Sequence, residues 1–222
     1  MPGKYDAGFS AMVKERKLTR AEQKAQRPLQ ILDAAFEEFV KNGYAATRVE
    51  DIAERVGVTK GTVYVYFETK ELLFESMIRH VSRPFGEIAT NAETLVGSPP
   101  EKLTALLRMV YEQLFDDRQT REVMRLVISE GPKFPDIVER HERDFVNPVI
   151  ASVEAILAEG VGLGQFHPGP AGFAELMVAP IVTVTVMRLI FGDRREVDKE
   201  AYIKAHMELL LHGLHRSAVE TA

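Results

Sequence analysis

Between Val58 and Leu73 the chain reads VTKGTVYVYFETKELL, where hydrogen-bond donors crowd a short segment. Lys60 and Lys70 bring positive charge. Thr59, Thr62, Tyr64 and Tyr66 bring hydroxyls, and Gly61 brings no side chain at all. This set suits holding the phosphates of a polyanion rather than breaking a bond. A free helix N-terminus at Thr59 would add backbone N–H groups aimed at an anion.

Signals for catalysis are absent elsewhere. The 222 residues contain no Cys, which excludes disulfides, thiolate zinc sites and cysteine nucleophiles. There is no G-x-S-x-G, no H-E-x-x-H and no phosphate-cradling glycine loop. GVGLG at 160–164 follows no strand, so it is not a dinucleotide fingerprint. His206, His212 and His215 lie near the C-terminus, and the last two share a helix face. Without Cys or nearby acidic partners they make a poor metal site. The expectation is therefore a protein that is not an enzyme, with no metal and no cofactor.

Charge agrees with an anionic partner at one end. The formal net charge is −5. Up to Arg83 there are 14 Lys and Arg against 12 Asp and Glu; from Pro84 onward there are 14 against 21. The basic N-terminal part and acidic remainder fit polyanion binding through the N-terminal part. A solvated basic tail explains the charge equally well. A cytoplasmic location fits the lack of Cys and of a signal-type apolar segment. The longest apolar run, LMVAPIVTVTVMRLIF at 176–191, holds Pro180 and Arg188 and is short for a membrane span, which needs about 20 residues.

The elements that must position the donors are helical. From Leu29, the apolar residues Ile31, Leu32, Ala35, Phe36, Phe39 and Val40 recur with a 3.6-residue period. Thr19 heads a capping-box pattern for a short helix, and Pro28 suits the first turn of a new one. Asn42-Gly43 closes that helix. Thr47 with Glu50 forms a second capping box, and Val49, Ile52, Ala53 and Val56 share a face ended by Gly57. Thr59 and Thr69 cap two further helices. The segment TVYVYF has strand-like composition. It has no neighbouring strand to pair with, however, and a helix drops Val63 and Phe67 onto the preceding helices. Helices two and three have helix-turn-helix proportions. In such a motif the second helix enters the DNA major groove with its N-terminal residues nearest the bases.

Beyond Leu73 the chain reads as helices over 101–115, 119–129, 136–159 with a bend at Pro148, 171–191 and 197–216. Pro84 is expected to kink or break the helix begun at Thr69. Residues 97–100 read as a loop, and 160–170 as a flexible connection. The fold class expected is all-α. A basic extension spans 1–27, a DNA-binding unit 28–73, and a helical body 74–222.

TRVEDIAERVGVTKGTVYVYFETKELL resembles the N-terminal DNA-binding domain of the tetracycline-repressor-like (TetR) family. The matching features are Thr47, Ile52-Ala53, Gly57-Val58, Lys60-Gly61-Thr62, Tyr64, Tyr66-Phe67 and Lys70-Glu71-Leu72, within about residues 29–73. The remainder matches in helix number and length alone. The resemblance implies a transcriptional regulator, a repressor by family expectation, acting on a palindromic double-stranded operator as a homodimer. Thr47, Thr62, Tyr64, Tyr66 and Lys70 would contact phosphates, with Thr59 beside them. Arg48, Lys60 and Gly61 would lie nearest the bases, and Val65 would tune operator choice. The body would take a small effector, apolar or aromatic, in a cavity with Phe85, Met109, Phe115, Met124, Ile128, Phe134, His141 and Phe145 as candidate lining. The last two helices would pair with a second copy through Phe173, Met177, Val184, Met187 and Phe191 on one, and Ile203, Met207, Leu210 and Leu214 on the other. The N-terminal arm is either a DNA-contacting arm or a tail.

Overall fold

The computed structural model of the chain describes residues 20–194 and 197–215. Residues 1–19 of the N-terminal extension, with the expected cap at Thr19, lie outside them.

The first helix, α1 (Arg20–Ala46), runs unbroken through Pro28. The expected new start at Pro28 is therefore corrected. One proline removes one backbone hydrogen bond, and the next three turns are anchored by buried Ile31, Leu32, Ala35, Phe36 and Phe39. Gly43 (φ 72°, ψ 171°) interrupts the helix as expected of Asn42-Gly43, with one further turn after it. Next come α2 (Val49–Val56), α3 (Lys60–Tyr66) and α4 (Lys70–Ala92). The segment with strand-like composition is a helix. Val63 is fully buried against α1 and α2, so packing outweighs β propensity. Along α4 the inward face is Leu73, Phe74, Met77, Ile78 and Val81, while Leu72 is exposed.

Helix α4 does not end at Pro84 but continues to Ala92. The body follows with α5 (Pro99–Asp116), α6 (Arg118–Glu130), a 3-10 turn (Gly131–Lys133) and α7 (Pro135–His141). Helix α5 starts inside the expected loop because Ser98 and Glu101 form a reciprocal capping box over two prolines. The long helix expected over 136–159 is continuous from Pro135 to Gly162, with a π turn dividing α7 from the next helix. Its bend is a π turn (Glu142–Val146) just before Pro148, leading into α8 (Asn147–Gly162). Opposite that turn, a Cβ at Gly86 of α4 would lie 3.1 Å from the Phe145 ring, so the two helices cross closely there.

The chain closes through α9 (Pro168–Ala171), α10 (Ala174–Phe191) and α11 (Lys199–Leu214). The connection expected to be flexible is tied down. Phe166 is 2% exposed and its ring covers Gly160, where any Cβ would overlap it. The backbone N–H of His167 donates to Leu214 O at 2.7 Å, fastening this loop to the end of α11. By length and composition α10 could cross a membrane, as could Pro135–Gly162. Here α10 instead packs Met177, Ile181 and Val184 into the body and holds Arg188 near Phe115 O.

Two hydrophobic cores result. One joins α1–α4 and takes Val123, Leu126 and Ile137 from the body; the other joins the C-terminal half of α4 with α5, α8, α10 and α11. The N-terminal core extends to Val81, past Leu73, where the sequence places the boundary. Deep in the second core, the Tyr111 hydroxyl and His206 Nδ1 are 2.8 Å apart. Burial holds the His206 pKa below the ordinary 6.5 and does the same to His141 against the smaller opposing effect of Asp144.

The sign of the pH effect follows. Below about 6.5 the unfolded chain takes up protons at these histidines while the folded chain resists them. Stability is full above that value and falls as the pH drops from 6.5 toward the lowered folded-state values. Urea midpoints should decline over this window, and His206→Asn should make the decline shallower.

Candidate nucleic-acid interface

The turn between α2 and α3 is set by Gly57 (φ 74°, ψ 38°), whose left-handed conformation costs a glycine little. Its N–H turns back to Glu54 O, and the N–H of Val58 reaches Ala53 O at 2.9 Å. Thr59 then caps α3, its hydroxyl accepting from Thr62 N at 3.2 Å. Thr59 and Thr62 hydroxyls lie 3.0 Å apart at an exposed helix start.

With Val63 anchored, the opposite side of α3 faces out. Val65 is 79% exposed. At Gly61 a Cβ would meet only Thr59 Oγ1, at 3.8 Å, so packing within the protein does not require glycine there. Arg48 and Lys60 are exposed. Tyr64 and Tyr66 are half-buried, their rings against the N-terminal core. Lys60 Nζ sits 5.6 Å from the centre of the Tyr64 ring.

Thr47 and Lys70 are engaged against the end of α1. Thr47 is 2% exposed. Its hydroxyl donates to Gly43 O (2.7 Å) and Glu38 O (3.0 Å), so it neither caps α2 nor faces an approaching phosphate. The α2 N-cap is Arg48, without a side-chain cap. The break at Gly43 turns Thr47 inward, where its hydroxyl serves helix-end carbonyls. Lys70 Nζ donates to Ala45 O at 3.3 Å and lies 4.5 Å from the Tyr44 ring centre, with its pKa lowered by burial. Lys70 thus rests against the end of α1.

Two acidic residues were not foreseen. Glu130, 8% exposed at the end of α6, accepts from Tyr44 N (3.3 Å) and from Lys133 (2.8 Å). Glu50 reaches Lys60 Nζ at 2.8 Å. Its place three residues after Thr47 suggested a capping box, and that reading hid its link to α3.

The body candidates do not converge on one cavity. Phe134 belongs to the N-terminal core, edge-on to Tyr44 at 4.5 Å. Ile128 is exposed on α6, and Met124 is half-buried on the same helix. Phe115 is buried against Tyr111 and covered by Arg188. Phe85 packs on the body core. His141 and Phe145 flank a narrow gap beside Glu75 and Arg140, and Met109 borders an open cleft with Ile88 and Gln113. A different cleft of about 500 Å³ opens between α4, α5 and α8, where Ala89, Leu95, Ala151 and Ile156 alternate with the charged Glu93, Lys102 and Glu159.

Most of the candidate pairing residues face inward, Phe173 and Phe191 excepted. Met177, Val184, Ile203, Met207, Leu210 and Leu214 are all within the chain's own core. Met187 is half-buried; Phe173 and Phe191 are exposed. On α10 the outward apolar residues are Leu176, Ala179, Val182 and Ile190, and on α11 Leu209 is exposed.

Comparison with known proteins agrees with this architecture. Residues 31–77 match the family described as bacterial regulatory proteins of the tetR family, and 101–209 match the AefR-like transcriptional repressor C-terminal domain. The chain is 31% identical over 164 residues to the HTH-type transcriptional regulator TtgR of Pseudomonas putida, covering 72% of this chain and 78% of that protein. It is 27% identical over 198 residues to the fatty acid metabolism regulator protein of Bacillus subtilis, covering 87% and 98%. The crystal structure of FadR from Bacillus subtilis in complex with stearoyl-CoA shares the fold, with a TM-score of 0.66 at 23% identity over 84% of this chain and 99% of that one. The chain belongs to the TetR family: it is a ligand-responsive, DNA-binding transcriptional regulator and not an enzyme.

Two substitutions separate structural from DNA-facing roles. Thr47→Val should cost about 1–3 kcal/mol of stability, because a buried hydroxyl loses both carbonyl partners. Lys60→Ala should leave the urea midpoint unchanged and weaken operator binding by about tenfold, as the loss of one base-edge contact requires. Mobility-shift titrations over a salt series check the second expectation.

Proposed function

We propose that the chain represses transcription as a homodimer, setting two copies of α3 into successive major grooves of a palindromic operator. The observation that carries this reading is the outer side of α3. Val63 fixes the helix, while Gly61 and Val65 leave it low between the Thr59, Lys60, Thr62, Tyr64 and Tyr66 donors. On this reading Arg48 and Lys60 would approach base edges and the hydroxyls would meet phosphates. Lys70 would join them by leaving the Ala45 carbonyl.

Dimerisation is supported by the outer face of α10 and α11. Leu176 (57% exposed) and Ile190 (64%) on α10 and Leu209 (76%) on α11 are large apolar side chains left uncovered, as a pairing surface would need. Pairing there would space the two heads for half-sites about 34–36 Å apart.

For the effector, the cleft between α4, α5 and α8 supports an apolar ligand. Its walls carry alanines, Leu95 and Ile156, and Lys102 stands at the rim 2.9 Å from both carboxylate oxygens of Glu159. A long-chain acyl thioester is the first class to test, given the names of the relatives. It would release DNA by binding more tightly to the conformation that cannot bind the operator. Duplexes taken from beside the gene should shift with the wild-type chain and be released by a long-chain acyl-CoA. A shift insensitive to acyl-CoA would remove that effector class and leave the DNA-binding reading standing.

Ile190→Asp with Leu209→Asp should yield a folded monomer in sedimentation at micromolar concentration, with operator binding weakened at least tenfold. A variant that remains dimeric would place the interface elsewhere.

A further inference from the structure

The donor surface of α3 contains one feature that works against DNA. Glu50, in the first turn of α2, extends its carboxylate across the inter-helix turn to Lys60 Nζ at 2.8 Å. Both side chains are nearly half exposed, at 44% and 48%, so burial does not force the contact. Lys60 is therefore occupied on both sides in the free protein, by a carboxylate and by the Tyr64 ring. The bond holds the Glu50 carboxyl below its usual range and the Lys60 ammonium above its own, with Arg48 adding a smaller pull on Glu50.

An exposed ion pair of this kind adds little to fold stability. Its position gives it another consequence. DNA of any sequence presents phosphates, and a free lysine on this surface would bind them indiscriminately with counterion release. A lysine held by a neighbouring carboxylate must first give up that partner. The barrier applies to every sequence. It is offset only where the operator supplies Lys60 with a better acceptor, such as the O6 and N7 of a guanine.

On the reading of α3 as the recognition helix, we propose that Glu50 is a specificity-determining residue that occupies Lys60 in the free protein and so suppresses binding to non-operator DNA. It acts through Lys60 and need not touch DNA itself. This is specificity gained by penalising the wrong partner rather than by adding contacts to the right one.

The test uses the full chain and a random-sequence duplex, titrated by fluorescence anisotropy across a salt series. Glu50→Gln keeps the side-chain shape and removes the charge. It should tighten random-duplex binding by about 3- to 10-fold at about 100 mM salt and steepen the log–log salt slope by about one, as one more phosphate contact requires. The urea midpoint should not move. In a Lys60→Ala background the same Glu50→Gln change should alter affinity less than about twofold, because the residue it releases is gone. An unchanged or weakened affinity in Glu50→Gln overturns the proposal. So does equal tightening with and without Lys60, which would make Glu50 a source of general repulsion. If the wild-type chain binds no duplex even at low salt, the recognition-helix reading falls, and this inference with it.

Discussion

Helix α4 belongs to two hydrophobic cores at once, and the rest of the structure depends on that shared membership. Leu73, Phe74, Met77, Ile78 and Val81 lie in the core of the N-terminal helices. Phe85 and Ile88, one and two turns further on, lie in or against the core of the body. Between them stand Ser82, Arg83 and Pro84. The proline costs the helix a hydrogen bond where the apolar stripe passes from one core to the other. Facing this stretch is the π turn of Glu142–Val146, with Phe145 against Gly86 and Ser82 Oγ 3.4 Å from His141 Nδ1. Two irregular stretches of helix thus meet where the cores meet. A close-packed core resists continuous deformation, and this joint lies where one such core gives way to the other.

A second link runs parallel to α4. Tyr44, on the turn after Gly43, stacks with Phe39 and meets Phe74 and Phe134 edge-on, while its N–H is held by Glu130. Lys70 lies over the same ring, pointing toward the end of α1. The base of the recognition unit is therefore gripped by α6 and the following turn as well as by α4. Effector binding that shifts α6 would act on Tyr44 and Lys70 directly, at the edge of the surface offered to DNA.

Much of the N-terminal half was legible in the sequence because its signals are local and mutually consistent. Thr59 and Thr69 cap the helices expected of them, Gly57 takes the left-handed turn, and Val63 points inward at helical spacing. These cues outweighed the β-like composition of TVYVYF. Thr47 misled because a threonine three residues before a glutamate suits a cap equally well as a buried donor to Gly43 O. Glu50 was misread with it. The body was less legible for a different physical reason. Helix α10 is apolar nearly all round, so no polar face sets its phase. A stripe drawn at helical spacing through Phe173, Met177, Val184, Met187 and Phe191 picked Met177 and Val184, which fill the chain's own core, over Leu176 and Ile190, which face out. Cavity lining was inferred from residue type, and type says nothing about whether Phe134 packs against Tyr44 or around a ligand.

The recognition surface shows how little intrinsic stability such a helix needs. Seven residues containing Gly61 and two valines would not hold a helix alone in water. The Thr59 cap, the Thr69 cap beyond it and the burial of Val63 hold it from three sides, so its outer residues are free of structural duty. That freedom is what allows Gly61 to carry no side chain and Val65 to stand 79% exposed. It also leaves Glu50 and Lys60 free to pair across the turn, because neither side chain is needed by a core. Stability and recognition are thus divided between opposite sides of α3, and substitutions on the outer side can change which DNA is bound without changing whether the helix forms.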